Sequence, residues 1–381
     1  MGPACRATPR LWPRCRPRFP VTPLTNDTIA MMRSEQLLER ISQSPKLKTL
    51  PDALDRQKMG RYLEQMARQY LHPDATVKKL DIEVLRQRTQ RCVLRYRVDL
   101  KGTGNGRTHR WRVIGKVFKP GRGEGTYQVM KRIWDAGFHS DAPDGISIPR
   151  PYGFYPEICM LFQEEVQGKP YKDALLARPS ADLLRRLAEA LAKFHAAPLA
   201  DGPPLTLDEF LLRCHPRYPF LILALPDCEP RVDYILQQAR RYLTSDQTIQ
   251  YGAIHGDFHL GQVHVQRDRI WLIDFDAISF GDPAVDVGNL LVFLKGKAKK
   301  YPELAPLLPI FLKTYLQHTG GNFLHRVLIY EGLTHLRRAC KLLRHQEKGW
   351  SRKINKMLNK AINCVDRAYG QSVTIQEVLE T

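Results

Sequence analysis

The chain has no apolar run of about 18 residues or more, so no membrane-spanning helix is expected. It has no C-x-x-C pair. Its eight cysteines are scattered and read as reduced thiols in a cytoplasmic protein. Acidic residues are in short supply, with 39 Asp and Glu against 59 Lys and Arg and a formal net charge of +20. So basic a chain attracts phosphate-bearing partners, whether nucleotide, anionic substrate, nucleic acid or lipid surface, and charge alone does not choose among them. There is no internal repeat.

Residues 1–30 hold five Arg, six Pro, one Asp and no Lys without apolar periodicity, which predicts a disordered basic extension. Met31 or Met32 is then the expected first residue. From Ser34 to Leu71 the spacing is helical: Leu54, Met59, Tyr62, Leu63, Met66 and Tyr70 predict one amphipathic packing helix. Strand patterns follow at Leu80–Leu85, Cys92–Leu100 and Arg110–Phe118, with Gly102–Gly106 as a hairpin turn.

The densest chemistry lies between His255 and Asp286, HGDFHLGQVHVQRDRIWLIDFDAISFGDPAVD. Val263 and Val265 alternate with polar neighbours, as do Ile270 and Leu272, around Arg267-Asp268, which predicts a β-hairpin. Gln262 and Asp274 then meet at its open end, and the loop from His255 to Gly261 leads to the same place. Asp257, His259, Gln262 and Asp274 therefore gather near one point. Carboxylates with an amide oxygen suit a hard divalent cation such as Mg²⁺, with phosphate oxygens completing its shell. The other carboxylate is free to take a proton from a hydroxyl. Phosphoryl transfer needs little beyond such positioning and charge neutralisation. Two other readings stay open. The string His255, Asp257, His259, His264 offers imidazoles to a transition-metal hydrolase, although it lacks the close His pairing of zinc motifs. Alternatively, these are polar loop residues of a structural hairpin.

The order H-G-D-x-H-x-x-N, hairpin, I-D-x-x, G-D-P-x-x-D resembles the aminoglycoside phosphotransferase and choline kinase-like group, distant relatives of the protein kinases, over roughly residues 80–345. The resemblance implies an α+β, two-lobed protein kinase-like fold, with a small antiparallel β-sheet lobe for nucleotide over residues 31–160 and a mainly helical catalytic lobe over 161–381. It also implies ATP- and Mg²⁺-dependent phosphorylation of a small-molecule hydroxyl. Carried over, Asp257 is the catalytic base, His255 a structural residue of the catalytic loop, and Asp274 the Mg²⁺ ligand. Asp286 braces the loop from the next helix. Asp282, followed by Pro283, reads as a helix N-cap with proline at the first helical position.

The sequence departs from the pattern at Gln262, where the family has Asn. Gln keeps the amide oxygen and adds a methylene, which leaves a nucleotide-binding pseudokinase or scaffold as the alternative. A basic polyanion-binding protein on a kinase-like support is a further one. Neither a G-x-G-x-x-G loop nor an A-P-E segment is present, and the short interval from Asp274 to Asp282 has no room for an activation loop, so a small acceptor is expected.

In the small lobe, Lys116 stands in the apolar strand Val113–Phe118 and matches the family's ATP-gripping lysine. Its acidic partner is expected on the next helix, about Gly125–Ala136, where Glu124 at the start is the one convenient candidate. The turn Arg86–Arg91 has no glycine, so it reads either as arginine side chains, Arg88 among them, meeting phosphate oxygens in place of backbone N–H groups or as a solvated basic loop. Gln163–Gly168 resembles the hinge beside adenine. His195, closing a helix of Leu183, Leu187, Leu191 and Phe194, reads as a packed or capping histidine. Beyond Asp286 the chain is helical, and the basic run from Arg337 to Lys360 reads as a solvated face or as a docking surface for an anionic substrate or membrane.

Overall fold

The computed structural model describes residues 46–88, 90–102, 108–198, 202–246, 248–320, 323–370 and 372–380. The extension at 1–30, the start at Met31 or Met32, and most of the Gly102–Gly106 turn lie outside these residues.

Helices α1 (Leu50–Leu54) and α2 (Arg56–Tyr70) replace the single expected helix. The break falls at Asp55, whose extended backbone stops α1 and whose side chain accepts from Lys58 N at 2.9 Å to start α2. Both pack on a five-stranded antiparallel sheet of order β1-β2-β3-β6-β5. Its first strands are β1 (Thr76–Arg88), β2 (Arg91–Lys101) and β3 (His109–Phe118). Helix α3 (Glu124–Asp135) and the short β4 (Ile146–Ser147) precede β5 (Pro151–Tyr155) and β6 (Met160–Glu164). In β2, Cys92, Leu94, Tyr96, Val98 and Leu100 are buried in strict alternation, the period of two that a sheet with one covered face demands. β3 is buried without interruption from Val113 to Phe118 because the sheet's other face is closed there by the rest of the molecule, so Lys116 sits inside.

After β7 (Lys169–Pro170) the chain is mainly helical: α4 (Tyr171–Ala177), α5 (Ala181–His195), α6 (Leu207–Leu212), α7 (Tyr218–Ala224) and α8 (Glu229–Ser245). Then come β8 (Gly252–Ile254) and the hairpin of β9 (Val263–Gln266) and β10 (Arg269–Leu272). β10 and β9 lie between β4 and β7, and β11 (Ser279–Gly281) pairs with β8. Helix α9 (Ala284–Ala298) is buried almost all round and runs through the core, crossed by α11 (Leu324–His345). Gly288 allows the crossing, since a Cβ there would meet Val327 O and Glu331 N at 2.9 Å. α10 (Leu308–Thr319), α12 (Trp350–Arg367) and α13 (Ile375–Leu379) complete the lobe. Each fully buried leucine of α9 contributes roughly 1.5–3 kcal/mol. That buried pillar fixes the polar loop at its N-terminal end.

The small antiparallel sheet and the helical remainder are the α+β, kinase-like arrangement expected. Among the described residues no helix is long and apolar enough to cross a membrane.

Candidate active site

The hairpin register pairs Val263 with Leu272 and continues to Gln262 opposite Ile273, whose N–H donates to Gln262 O at 2.9 Å, so Asp274 lies one residue past the last pair. Gln262 Nε2 lies 3.5 Å from Asp274 Oδ2. Asp274 adopts a left-handed backbone, φ 69°, which turns its carboxylate out of the strand and into the cleft.

Beneath the loop lies a brace. Asp286, with no exposed surface, accepts from the backbone N–H of His255 at 2.6 Å and of Gly256 at 2.9 Å. The Tyr315 hydroxyl donates to His195 Nδ1 at 2.5 Å, which leaves the Nε2 proton for Asp286 at 3.1 Å. Burial pushes the Asp286 carboxyl up, but His195 and these hydrogen bonds outweigh it and hold the group below the usual carboxylate range. His255 donates from Nε2 to Ile273 O at 2.9 Å, tying the loop to the residue before Asp274. Gly256, at φ +76°, is required here: a Cβ would strike the Ala277 carbonyl. His195 thus does more than pack, and Tyr315 joins it; neither partnership had a signal in the local sequence.

From the small lobe, Lys116 Nζ reaches Asp274 at 3.4 Å and Asp276 at 3.7 Å. Arg91 donates to Asp274 at 2.8 Å and also pairs with Asp276. Burial pushes Asp274 up, yet Lys116 and Arg91 together hold it well below the usual carboxylate range. Burial lowers the Lys116 ammonium, and Asp274 restores part of the loss. Glu124 does not take the partner role expected of it. It is exposed at the first position of α3, and Asp274 and Asp276 pair with Lys116 instead. Sequence reasoning missed Asp276, two residues past Asp274 and separated from it by the buried Phe275. Arg88 is exposed at the end of β1 and lines the cleft mouth; Arg91, from the same turn, is the arginine that enters.

Asp257 is about half exposed, with Arg337 Nη2 at 3.1 Å and His259 Nε2 at 3.9 Å. Arg337 also donates to Asn289 Oδ1 at 2.8 Å, while Asn289 Nδ2 holds Phe258 O at 2.7 Å. Arg337 was visible in the sequence only as one member of a basic run. Asp282, buried and two residues before α9, accepts from Ala284 N at 3.0 Å and pairs with Arg326 at 3.0 Å, while Pro283 holds the cap position expected of Asp282. Helix α9 begins at Ala284, one residue later than a proline at the first helical position would place it.

These groups line one cleft. A part of about 360 Å³ is bounded by Arg88, Arg91, Asp257, Gln262, Asp274 and Asp276. A part of about 710 Å³ continues past Lys116 to Gln163–Gly168, the expected hinge. A larger cavity of about 910 Å³ lies on the far side of the brace, against His195 and Tyr315, and contains neither Asp257 nor Asp274. The carboxylates Asp257, Asp274 and Asp276 all belong to the first cleft. The histidines of the loop do not converge: His255 is tied to Ile273 and His264 lies in β9 opposite Trp271.

Residues 100–322 match the APH phosphotransferase enzyme family. Solved structures share the fold. One is a choline/ethanolamine kinase family protein from Mesorhizobium loti, 14% identical, with a TM-score of 0.54 over 92% of this chain and 98% of that one. An amicoumacin kinase solved with AMP-PNP and Ca²⁺ is 17% identical, with a TM-score of 0.55 over 82% and 95%. An aminoglycoside phosphotransferase solved with ADP and hygromycin B is 16% identical, with a TM-score of 0.51 over 81% and 99%.

Proposed function

The chain belongs to the phosphotransferase enzyme family, and on that premise we propose that it transfers the terminal phosphoryl group of ATP to a hydroxyl of a small molecule. One observation carries the reading: a half-exposed carboxylate, Asp257, and a largely buried, cation-held carboxylate, Asp274, line one cleft at the open end of the hairpin. Asp257 accepts the acceptor's hydroxyl proton as its oxygen bonds to phosphorus, and the bond to the ADP oxygen breaks. Lys116 and Arg91 draw the nucleotide phosphates toward Asp274, and Arg88 adds charge at the mouth. The nucleotides in the solved relatives, AMP-PNP and ADP, support ATP as donor.

The donor set around Asp274 is all oxygen once the Gln262 amide is turned about its last bond, an exchange of O and N that moves no other heavy atom. That set suits Mg²⁺, with Asp274 and Gln262 as the residues that would hold it and Asp276 adjacent. Bound there, Mg²⁺ would neutralise and align phosphate oxygens. The division near residue 160 into a nucleotide lobe and a catalytic lobe, and a cytoplasmic location where ATP is plentiful, belong to the same proposal.

The acceptor end narrows the substrate. Arg337 touches Asp257, with the His259 ring at 3.9 Å; Lys341 lies one turn further along α11, and Arg213 reaches the Ala277 carbonyl beside Gly256. Amine-rich acceptors such as hygromycin B meet repulsion here, and neutral or anionic hydroxyl compounds suit the charge better. A second reading, nucleotide binding without turnover, draws on Arg91 occupying both Asp274 and Asp276.

A panel of hydroxyl compounds, neutral, anionic and cationic, assayed for ADP release with ATP and Mg²⁺ on the wild type and on Asp257→Ala, tests the proposal. Asp257-dependent turnover of a neutral or anionic acceptor is expected. Nucleotide binding with no Asp257-dependent turnover would favour the second reading.

A further inference from the structure

A separate pocket of about 240 Å³ opens between α9, α11 and α12. Cations converge on it from all three helices: Lys295 from α9, Arg338 from α11, and Lys353, Lys356 and Lys360 from α12. Those of α12 fall on one face at spacings of three and four, so they point together by helix geometry. Lys299, just past α9, adds another charge beside Lys360. Burial and the charges of Lys299 and Lys295 push Lys360 down to about 8.

The local acids do not balance this charge. Glu331, buried, is already paired with Lys295, and Glu347 pairs with Lys353 at 3.3 Å. His335, buried in the lining, has no hydrogen-bond partner for Nδ1. Burial, with Lys360 and Arg338 next, pushes it down to about 3, so it is a neutral imidazole. Glu331, His335 and Cys364 do bring ligand atoms within 4.8 Å of one another. A metal cation there would compete with the Lys295 ammonium and face the ring of lysines, so the electrostatics favour the opposite sign.

We propose that this pocket binds a phosphate group, gripped by Arg338, Lys356 and Lys360 above the apolar floor of Val292 and Met357. A doubly charged anion with several acceptor oxygens uses convergent cations best, and the Arg338 fork, stacked over Phe293 at 5.3 Å, is held ready for it. The phosphate comes either from a soluble ester or from a lipid headgroup.

The test uses the full chain with ADP and Mg²⁺ present, so that nucleotide fills the cleft at Asp274. Sodium phosphate and glycerol 3-phosphate are compared with sodium chloride at equal ionic strength by thermal unfolding. Flotation with phosphatidylcholine vesicles, with and without phosphatidic acid, is run alongside. A soluble source raises the midpoint by about 2 °C at ten times Kd. A lipid source gives phosphatidic-acid-dependent flotation without that shift. Either response is lost in Lys356→Gln/Lys360→Gln and retained in Lys356→Arg/Lys360→Arg. Both glutamine substitutions replace at least partly exposed side chains, and the variant's midpoint in chloride checks its fold. Binding that survives the glutamine substitutions, or no response in either arm, overturns the proposal.

Discussion

Asp286 and Asp274 are carboxylates at the two ends of one short stretch, and their surroundings differ in kind. Asp286 is sealed, and its partners are two backbone N–H groups and an imidazole supported by Tyr315. Asp274 keeps about a fifth of its side chain exposed, and its partners are two cations from the other lobe. Fixed dipoles cannot leave Asp286 without unfolding the loop. Arg91 and Lys116 can exchange a carboxylate for a phosphate at little net electrostatic change. Asp286 is thus held by donors fixed within its own lobe, while Asp274 is held by charges that come from the other lobe.

The comparison breaks first at Asp286. Asp286→Ala leaves His255 N, Gly256 N and His195 without their buried acceptor, and a loss of about 3–5 kcal/mol is expected by urea unfolding. A loss below about 1 kcal/mol would mean that the loop is held by something else. Next comes Arg91→Gln, which should raise the apparent Kd for ATP about tenfold, the scale of one charge-assisted hydrogen bond, while costing less stability than Asp286→Ala. Tighter ATP binding in that variant would instead mark Arg91 as an occupant that nucleotide must displace.

A pH series sharpens the contrast. The folded-state pKa of Asp274 is depressed, so its contribution to stability is complete above the unfolded value near pH 4 and is lost only as pH falls through the lower folded value. ATP binding should therefore show no Asp274 titration between about pH 5 and 8. A carboxylate step inside that window, removed by Asp274→Asn, would contradict the assigned ion pairs. The smallest effect belongs to Glu124→Ala: under about 0.5 kcal/mol in stability and no change in ATP affinity.

The same contrast separates what was legible in the sequence from what was not. The hairpin could be read because its signal is local: two alternating runs around a polar turn bring Gln262 to the open end, where it stands opposite Ile273 with its side chain 3.5 Å from Asp274, one residue on. The sheet strands were visible for the same reason, although they run longer than the apolar alternation suggests because pairing extends past it. The charged partners were hidden. Arg91 and Lys116 lie 183 and 158 residues from Asp274, and no periodicity encodes such a pairing. Glu124 was favoured because the partner was expected at the following helix, whereas Asp274 and Asp276 are the acids that pair with Lys116 in space. In the basic run near the C-terminus, Arg337 turns inward to Asp257 while Arg338 turns to the separate pocket. Adjacent helical residues point about a quarter turn or more apart, a difference invisible to composition.

The most direct measurement of the central claim is nucleotide binding by thermal shift, with ATP plus Mg²⁺, on the wild type, Asp274→Ala and Asp257→Ala. The account predicts Mg²⁺-dependent stabilisation of the wild type and of Asp257→Ala, and its loss in Asp274→Ala. Absence of stabilisation by any nucleotide at millimolar concentration, or equal stabilisation of Asp274→Ala, would contradict it.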